Sequence, residues 1–358
     1  MPPTTTIETT LGADMFQAMA TYVKDYKDAY ASARALTLPT PSQFDNVVLT
    51  GMGGSGIGAS LVEGLLQPTS PKPIFVVKDY RLPRWVSQRS FVIATSYSGN
   101  TEETLNCVAD ARERGSLVGG ITSGGLLSSF LSKHKLPTFN VTSARQPRAA
   151  LPMLFGGLAG MLDRAGLGKL ELDPSDENIL HNLHVQLQPK LSGTEDRALL
   201  LAELMRNAHP TIVGEGHLWP VAMRWKAQLN ENSKMFARAE PLPEMNHNDL
   251  VPWAQAPKNP VDSLVLLRRN KEPKEVAARF DFLTDVAQKE KVPVETIQAI
   301  CRTAVGQCLE HILYADYTSV YAAVLRHIDP TPVAIITGLK QRLERDGLAQ
   351  DVRKRLGL

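Results

Sequence analysis

Asn46-Val47-Val48-Leu49-Thr50, running directly into Gly51-Met52-Gly53-Gly54-Ser55-Gly56, decides the fold. A short run that is apolar on both faces and then breaks into glycines reads as a strand of a covered parallel sheet turning straight into a helix. The pattern recurs at 74–77, 91–95, 117–121 and 138–141, with helical stretches between. It predicts a doubly wound α/β domain over 36–165, preceded by a helical segment over 1–35 whose helix runs about 16–35. A polar, glycine- and acid-containing stretch at 166–177 reads as a linker. Strands then resume at 211–214, 263–267 and 292–295, with helices expected over 194–208, 217–234, 274–290, 303–328 and 333–346. A second α/β domain is expected over 178–358. Its Gly214-Glu215-Gly216 follows a strand as Gly51 does, which hints at two related domains.

A chain of 358 residues is long enough for two cores. With 43% hydrophobic and 21% charged residues it has the composition of a folded protein. Lys+Arg 39 against Asp+Glu 37 leaves a net charge of +2 and no basic run, so no nucleic-acid partner is expected. The start, Met1-Pro2-Pro3-Thr4-Thr5-Thr6, lacks the pattern of a secretion signal. The most apolar stretch, 149–162, is shorter than the ~20 residues that span a bilayer and reads as a buried helix. No membrane partner is therefore expected. Cys107, Cys301 and Cys308 are scattered, without disulfide or metal-ligand spacing, so neither a metal nor a disulfide framework is expected and a reducing cytoplasm fits.

Two strand-end loops could hold an anion. Gly51 to Gly56 satisfies G-x-G-x-x-G, and at this stage a dinucleotide, another phosphate ligand and a mere tight turn all remain open. Asp79 would be the ribose acid of the first reading. Ser96-Tyr97-Ser98-Gly99-Asn100-Thr101-Glu102-Glu103-Thr104 follows a later strand and opens a helix. A helix cap accounts for some of these residues. The hydroxyls of Ser96, Ser98 and Thr101 with a glycine exceed what a cap needs and suit a phosphate monoester at a helix N-terminus. No G-x-x-x-x-G-K-[ST] is present, which argues against triphosphate hydrolysis.

Glu244-Met245-Asn246-His247-Asn248-Asp249 sets a carboxylate three residues from an imidazole after a proline turn. Taken alone, this is compatible with a surface or capping pair and with a base that abstracts a proton beside a carbonyl.

Taken together, the loops resemble the sugar isomerase (SIS) domain. Gly51 to Gly58, Ser96 to Thr104, Ile121-Thr122-Ser123-Gly124-Gly125, Gln146-Pro147-Arg148-Ala149, Gln228-Leu229-Asn230-Glu231-Asn232, Pro243 to Asn248 and Asp329-Pro330-Thr331-Pro332-Val333 narrow the resemblance to the bifunctional phosphoglucose/phosphomannose isomerase family. The likeness implies two doubly wound parallel-sheet subdomains of SIS, flavodoxin-like type. It also implies a cytoplasmic, cofactor-free homodimer that interconverts glucose 6-phosphate, and mannose 6-phosphate, with fructose 6-phosphate through a cis-enediolate. Glu244 maps to the catalytic base, whose burial would raise its pKa, Arg148 to the enediolate stabiliser, and His247 to the same motif. Gly54, Ser55, Ser96, Ser98 and Thr101 map to phosphate-binding positions, and Lys340 to a C-terminal lysine that reaches the substrate.

One departure stands out. The family places a ring-opening histidine some fifteen residues after the catalytic glutamate, contributed across the dimer, but 255–261 contains none and no His follows His247 until His311. Lys258 would replace it only with a strongly depressed pKa. His209, His217 and His311 read as ordinary structural histidines. A sugar-phosphate binder without turnover, or an isomerase of another phosphosugar, is the alternative this departure leaves open.

Overall fold

The computed structural model describes residues 11–142, 147–189, 196–255 and 261–358. Their contacts gather into two compact units, each discontinuous in sequence. One combines the residues up to Thr21 with Leu172–Pro332, the other Tyr22–Glu171 with Val333–Leu358.

The Tyr22–Glu171 unit is built on five strands: β1 (Asn46–Thr50), β2 (Ile74–Val77), β3 (Ser90–Ser96), β4 (Leu117–Thr122) and β5 (Thr138–Asn140). All pair in parallel, in the order β2-β1-β3-β4-β5, with Val48 opposite Val92 and Ile93 opposite Gly119. β3 is buried at every residue, as a central parallel strand covered on both faces must be. The strand order reverses between β1 and β3, and ligands of open α/β sheets bind beyond the carboxyl ends at such a point. Helix Leu151–Arg164, the apolar stretch expected to be buried, packs with helix Tyr22–Arg34 and buries most of its length. A second core joins Val48, Val92, Leu105, Val108 and Phe130 to Val352 and Leu356 of the C-terminal helix Leu348–Leu356. That helix is stapled to helix Glu102–Glu113, since Arg355 donates to Asn106 (2.6 Å) and Asp110 (2.7 Å).

In the other unit, β6 (His209–Glu215), β7 (Arg238–Leu242), β8 (Asp262–Arg268) and β9 (Val294–Gln298) are also all parallel, in the order β7-β6-β8-β9. Here the order reverses between β6 and β8. Helix Ala304–Leu325, expected to serve as core, is buried from Val305 to Val324 and packs on helices Pro174–Leu187, Arg197–Met205 and Trp219–Asn232. Among the described residues no helix is long and apolar enough to cross a membrane.

The fold class is the expected one, and some local expectations are corrected. The N-terminal helix is two, Ala13–Met19 and Tyr22–Arg34, separated by a turn at Ala20-Thr21. The stretch expected as a linker at 166–177 ends inside helix Pro174–Leu187, whose N-cap is Asp173, accepting from the Ser175 amide at 2.8 Å. β7 was not anticipated; it is an edge strand, where Pro241 withholds no hydrogen bond that an inner strand would need. Helix Ala334–Arg345, which carries Lys340, groups with β1–β5 rather than with the residues just before it.

Candidate functional site

The loop after β1 is shaped by close approach. A Cβ on Gly51 would lie 2.7 Å from the Thr95 carbonyl oxygen, and one on Gly56 would lie 2.4 Å from that of Gly51. Neither position has room for a side chain. Helix Gly53–Leu66 can therefore start directly at the sheet edge, with Gly54 and Ser55 in its first turn.

The loop after β3 folds over its own hydroxyls. Ser96 Oγ lies 2.9 Å from Thr101 Oγ1 and accepts the Gly99 amide at 3.1 Å, while Ser98 Oγ accepts the Asn100 amide at 3.3 Å. Gly99 is left-handed (φ 69), and a Cβ there would sit 1.8 Å from the Gly124 carbonyl oxygen. That proximity laces the loop to the one after β4: the Leu127 amide donates to Gly99 O (2.9 Å), the Leu126 amide to Asn100 Oδ1 (3.0 Å) and Ser123 Oγ to Tyr97 O (2.6 Å). The Tyr97 amide donates to Ser55 Oγ at 3.1 Å, which joins both strand-end loops. Ser96 is buried and Ser98 exposed, and Thr101 is the N-cap of helix Glu102–Glu113. Burial, then the neighbouring Glu103, raises the pKa of Glu102 in that helix's first turn.

Arg148 lies in the 3₁₀ helix Pro147–Ala150, which packs against helix Gly53–Leu66, and is only 4% exposed. A buried, planar guanidinium holds a fixed direction. Lys340 is exposed on its helix in the same unit. Lys78, a cation not singled out from the sequence, follows β2 and donates to Ser60 Oγ at 2.7 Å. Asp79, the acid a dinucleotide would need, instead accepts the Tyr80 amide at 2.5 Å.

Glu244 and His247 belong to the other unit, at the carboxyl end of β7. They bound a four-residue 3₁₀ turn entered through the cis Leu242–Pro243 bond. Met245 points into the core, while Glu244 and His247 are exposed. The expectation of a buried Glu244 is therefore corrected: Met245 takes the inward direction, and its neighbour faces out.

The other histidines singled out from the sequence, His209, His217 and His311, make hydrogen-bond and ring contacts. His217 Nε2 lies 3.1 Å from Gln307 Oε1, and burial lowers its pKa to about 4. His311 is fully buried, lies 3.2 Å from the Arg268 carbonyl and is likewise held at about 4 by burial. His209 stacks edge-on against Phe236. Residues 256–260, including Lys258, and Gln146 of the Gln-Pro-Arg-Ala block lie outside the described residues.

Residues 194–343 match the model of the bacterial phospho-glucose isomerase C-terminal SIS domain. A bifunctional phosphoglucose/phosphomannose isomerase of Caldicellulosiruptor bescii is 33% identical over 92% of this chain and 98% of its own. One of Aquifex aeolicus is 33% identical over 84% of this chain and 91% of its own. Among solved structures, a hypothetical protein from Thermus thermophilus superposes with a TM-score of 0.68 at 17% identity, covering 94% of this chain and 91% of that one, a likeness of fold. With a relative matched at this identity over nearly its whole length, the chain belongs to the bifunctional phosphoglucose/phosphomannose isomerase family.

Proposed function

We propose that the protein interconverts glucose 6-phosphate, and mannose 6-phosphate, with fructose 6-phosphate, acting in the cytoplasm as a homodimer. The observation that carries this reading is the pair of laced strand-end loops at the β1/β3 order reversal, in a chain that is 33% identical to a named isomerase of both sugars. Backbone N–H groups at the starts of helices Gly53–Leu66 and Glu102–Glu113, with the hydroxyls of Ser55, Ser96, Ser98 and Thr101, are suited to a phosphate dianion.

The reaction moves one proton between neighbouring carbons. In the open-chain aldose, Glu244 removes the C2 proton, and the electron pair passes through C1 onto the carbonyl oxygen as a cis-enediolate. Return of a proton to C1, with transfer of the O2 proton to O1, gives the ketose. Arg148 stabilises the enediolate oxygen electrostatically. His247 supports the turn, Lys340 reaches the substrate and Gly54 contributes to the phosphate loop. No cofactor or metal is required by these steps. Three buried thiols, with the pKa of Cys107 pushed up to about 11 by burial, suit a reducing compartment.

Purified protein is assayed in both directions with glucose 6-phosphate and mannose 6-phosphate, alongside Glu244→Gln. Turnover that disappears in the variant supports the reading; full activity in the variant removes Glu244 as the base. The histidine missing after Glu244 favours a second reading, sugar-phosphate binding without turnover, which calorimetric binding with no isomerisation of either sugar would establish. Sedimentation at assay concentrations tests the dimer.

A further inference from the structure

The turn Glu244–His247 is short and offers little internal hydrogen bonding. Its backbone supplies the Asn246 amide to Pro243 O and the Asp249 amide to Met245 O, each at 3.0 Å, and the Asn248 amide to Met245 O at 3.5 Å. A 3₁₀ turn of this length holds its shape only through contacts outside itself. Met245 packs in the core with Val213, Leu264 and Leu266 of the sheet, and two side-chain anchors of the turn reach helix Lys274–Lys289. Met245, fully buried, shares a core with Val276, Phe280 and Leu283 of that helix. On the next residue, Arg279 Nη1 donates to Asn246 Oδ1 at 3.0 Å.

We infer that Arg279 is a positioning residue for Glu244, fixing the carboxylate through Asn246. The inference rests on Glu244 being the base. Asn246 stands two residues after Glu244, so the Arg279 bond sets the rotation of the turn about the Met245 anchor. An exposed carboxylate has no packing of its own to orient it, and a shift of about 1 Å in a reacting group can cost on the order of a hundredfold in rate. The guanidinium donates from a planar fork, which gives the bond a fixed direction. Asn246 Nδ2 is buried with no hydrogen-bond partner among the described residues, which leaves its Oδ1 as the end that ties the side chain down. An open surface depression of about 510 Å³ lined by Asn246, Leu250, Glu275, Ala278, Arg279 and Phe282 adjoins the bond and has room for a free guanidinium ion.

The test is steady-state isomerisation of glucose 6-phosphate by Arg279→Ala, Asn246→Leu, the double variant and Glu244→Gln. Arg279→Ala and Asn246→Leu are each expected to lower kcat about tenfold or more with KM within about twofold. The double variant should be no slower than the worse single one, and added guanidinium chloride at millimolar concentration should restore part of the Arg279→Ala rate. Should Arg279→Ala fail to fold, Asn246→Asp against Asn246→Leu decides, since both leave Arg279 in place: the aspartate, still able to accept, keeps kcat within about threefold while the leucine loses it. With Glu244→Gln inactive, unchanged kcat, losses that multiply in the double variant, or equal loss in the Asp and Leu variants overturn the positioning role alone. Full activity in Glu244→Gln overturns both the base and the residue that positions it.

Discussion

The Tyr97 amide donates to the Ser55 hydroxyl across 3.1 Å, so the loop after β3 hangs from the first turn of the helix after β1. One hydroxyl thus orders two loops. A hydrogen bond to a charged group contributes about 1.5–3 kcal/mol, and about 1.4 kcal/mol is tenfold in affinity. Ser55→Ala is expected to raise KM for glucose 6-phosphate at least about tenfold with kcat within about threefold, read in a coupled assay. An unchanged KM would remove Ser55 from the phosphate site.

Gly99→Ala is expected to be harsher than any hydroxyl deletion. The new methyl would enter a space already filled by the Gly124 carbonyl and Thr122 Oγ1, on a left-handed backbone. Strain of about 2–3 kcal/mol corresponds to a fall of roughly 5–10 °C in melting temperature. Calorimetry and KM should both register it, because the loop must part from the turn at Gly124 to make room.

Acid should weaken the fold through His311. Burial holds its folded-state pKa near 4 against an ordinary value of 6.5, so between those pH values the unfolded chain binds more protons than the folded one. Stability therefore rises with pH through this window and is lost as pH falls towards 4, by up to about 3 kcal/mol. Urea midpoints at pH 7 and pH 5 should differ, and His311→Gln should shrink the difference.

Arg224 and Asp316 form a two-point pair, Nη2 to Oδ2 at 2.9 Å and Nε to Oδ1 at 3.2 Å, with side chains 2% and 4% exposed. Removing one partner strands a buried charge, at a cost of about 3–5 kcal/mol. Arg224→Met is expected to lose that much in denaturant unfolding, and Arg224→Met with Asp316→Leu to recover most of it. A double variant as unstable as the single one would show that other contacts of these groups dominate.

The inner strands were legible because burial on both faces of a parallel sheet writes itself as an apolar run, as at Val47 to Leu49 and Phe91 to Ala94. β7 was not, since an edge strand reading Arg-Ala-Glu-Pro-Leu is buried only at Leu242 and carries a proline. The start of helix Pro174–Leu187 was written in Asp173, Pro174 and the acids after them, yet the same residues read as a polar linker. The Ser96–Thr101 loop was visible in composition, whereas its lacing to 122–127 depends on which strand becomes the neighbour. Arg279 left no mark at all: its partner Asn246 lies 33 residues away, and only the fold brings them together.

The chain visits each unit twice, and the order of synthesis gives this a consequence. When Pro332 has left the ribosome, every residue of the β6–β9 unit has been made, while the β1–β5 unit still lacks the segment holding Lys340, Val352, Arg355 and Leu356. The nascent loops at Ser55 and Ser96 must wait for the last helix before the core beneath helix Glu102–Glu113 is closed. Loss of the Arg355 or Leu356 side chain would thus strike a core whose other members were made long before it, rather than the helix alone.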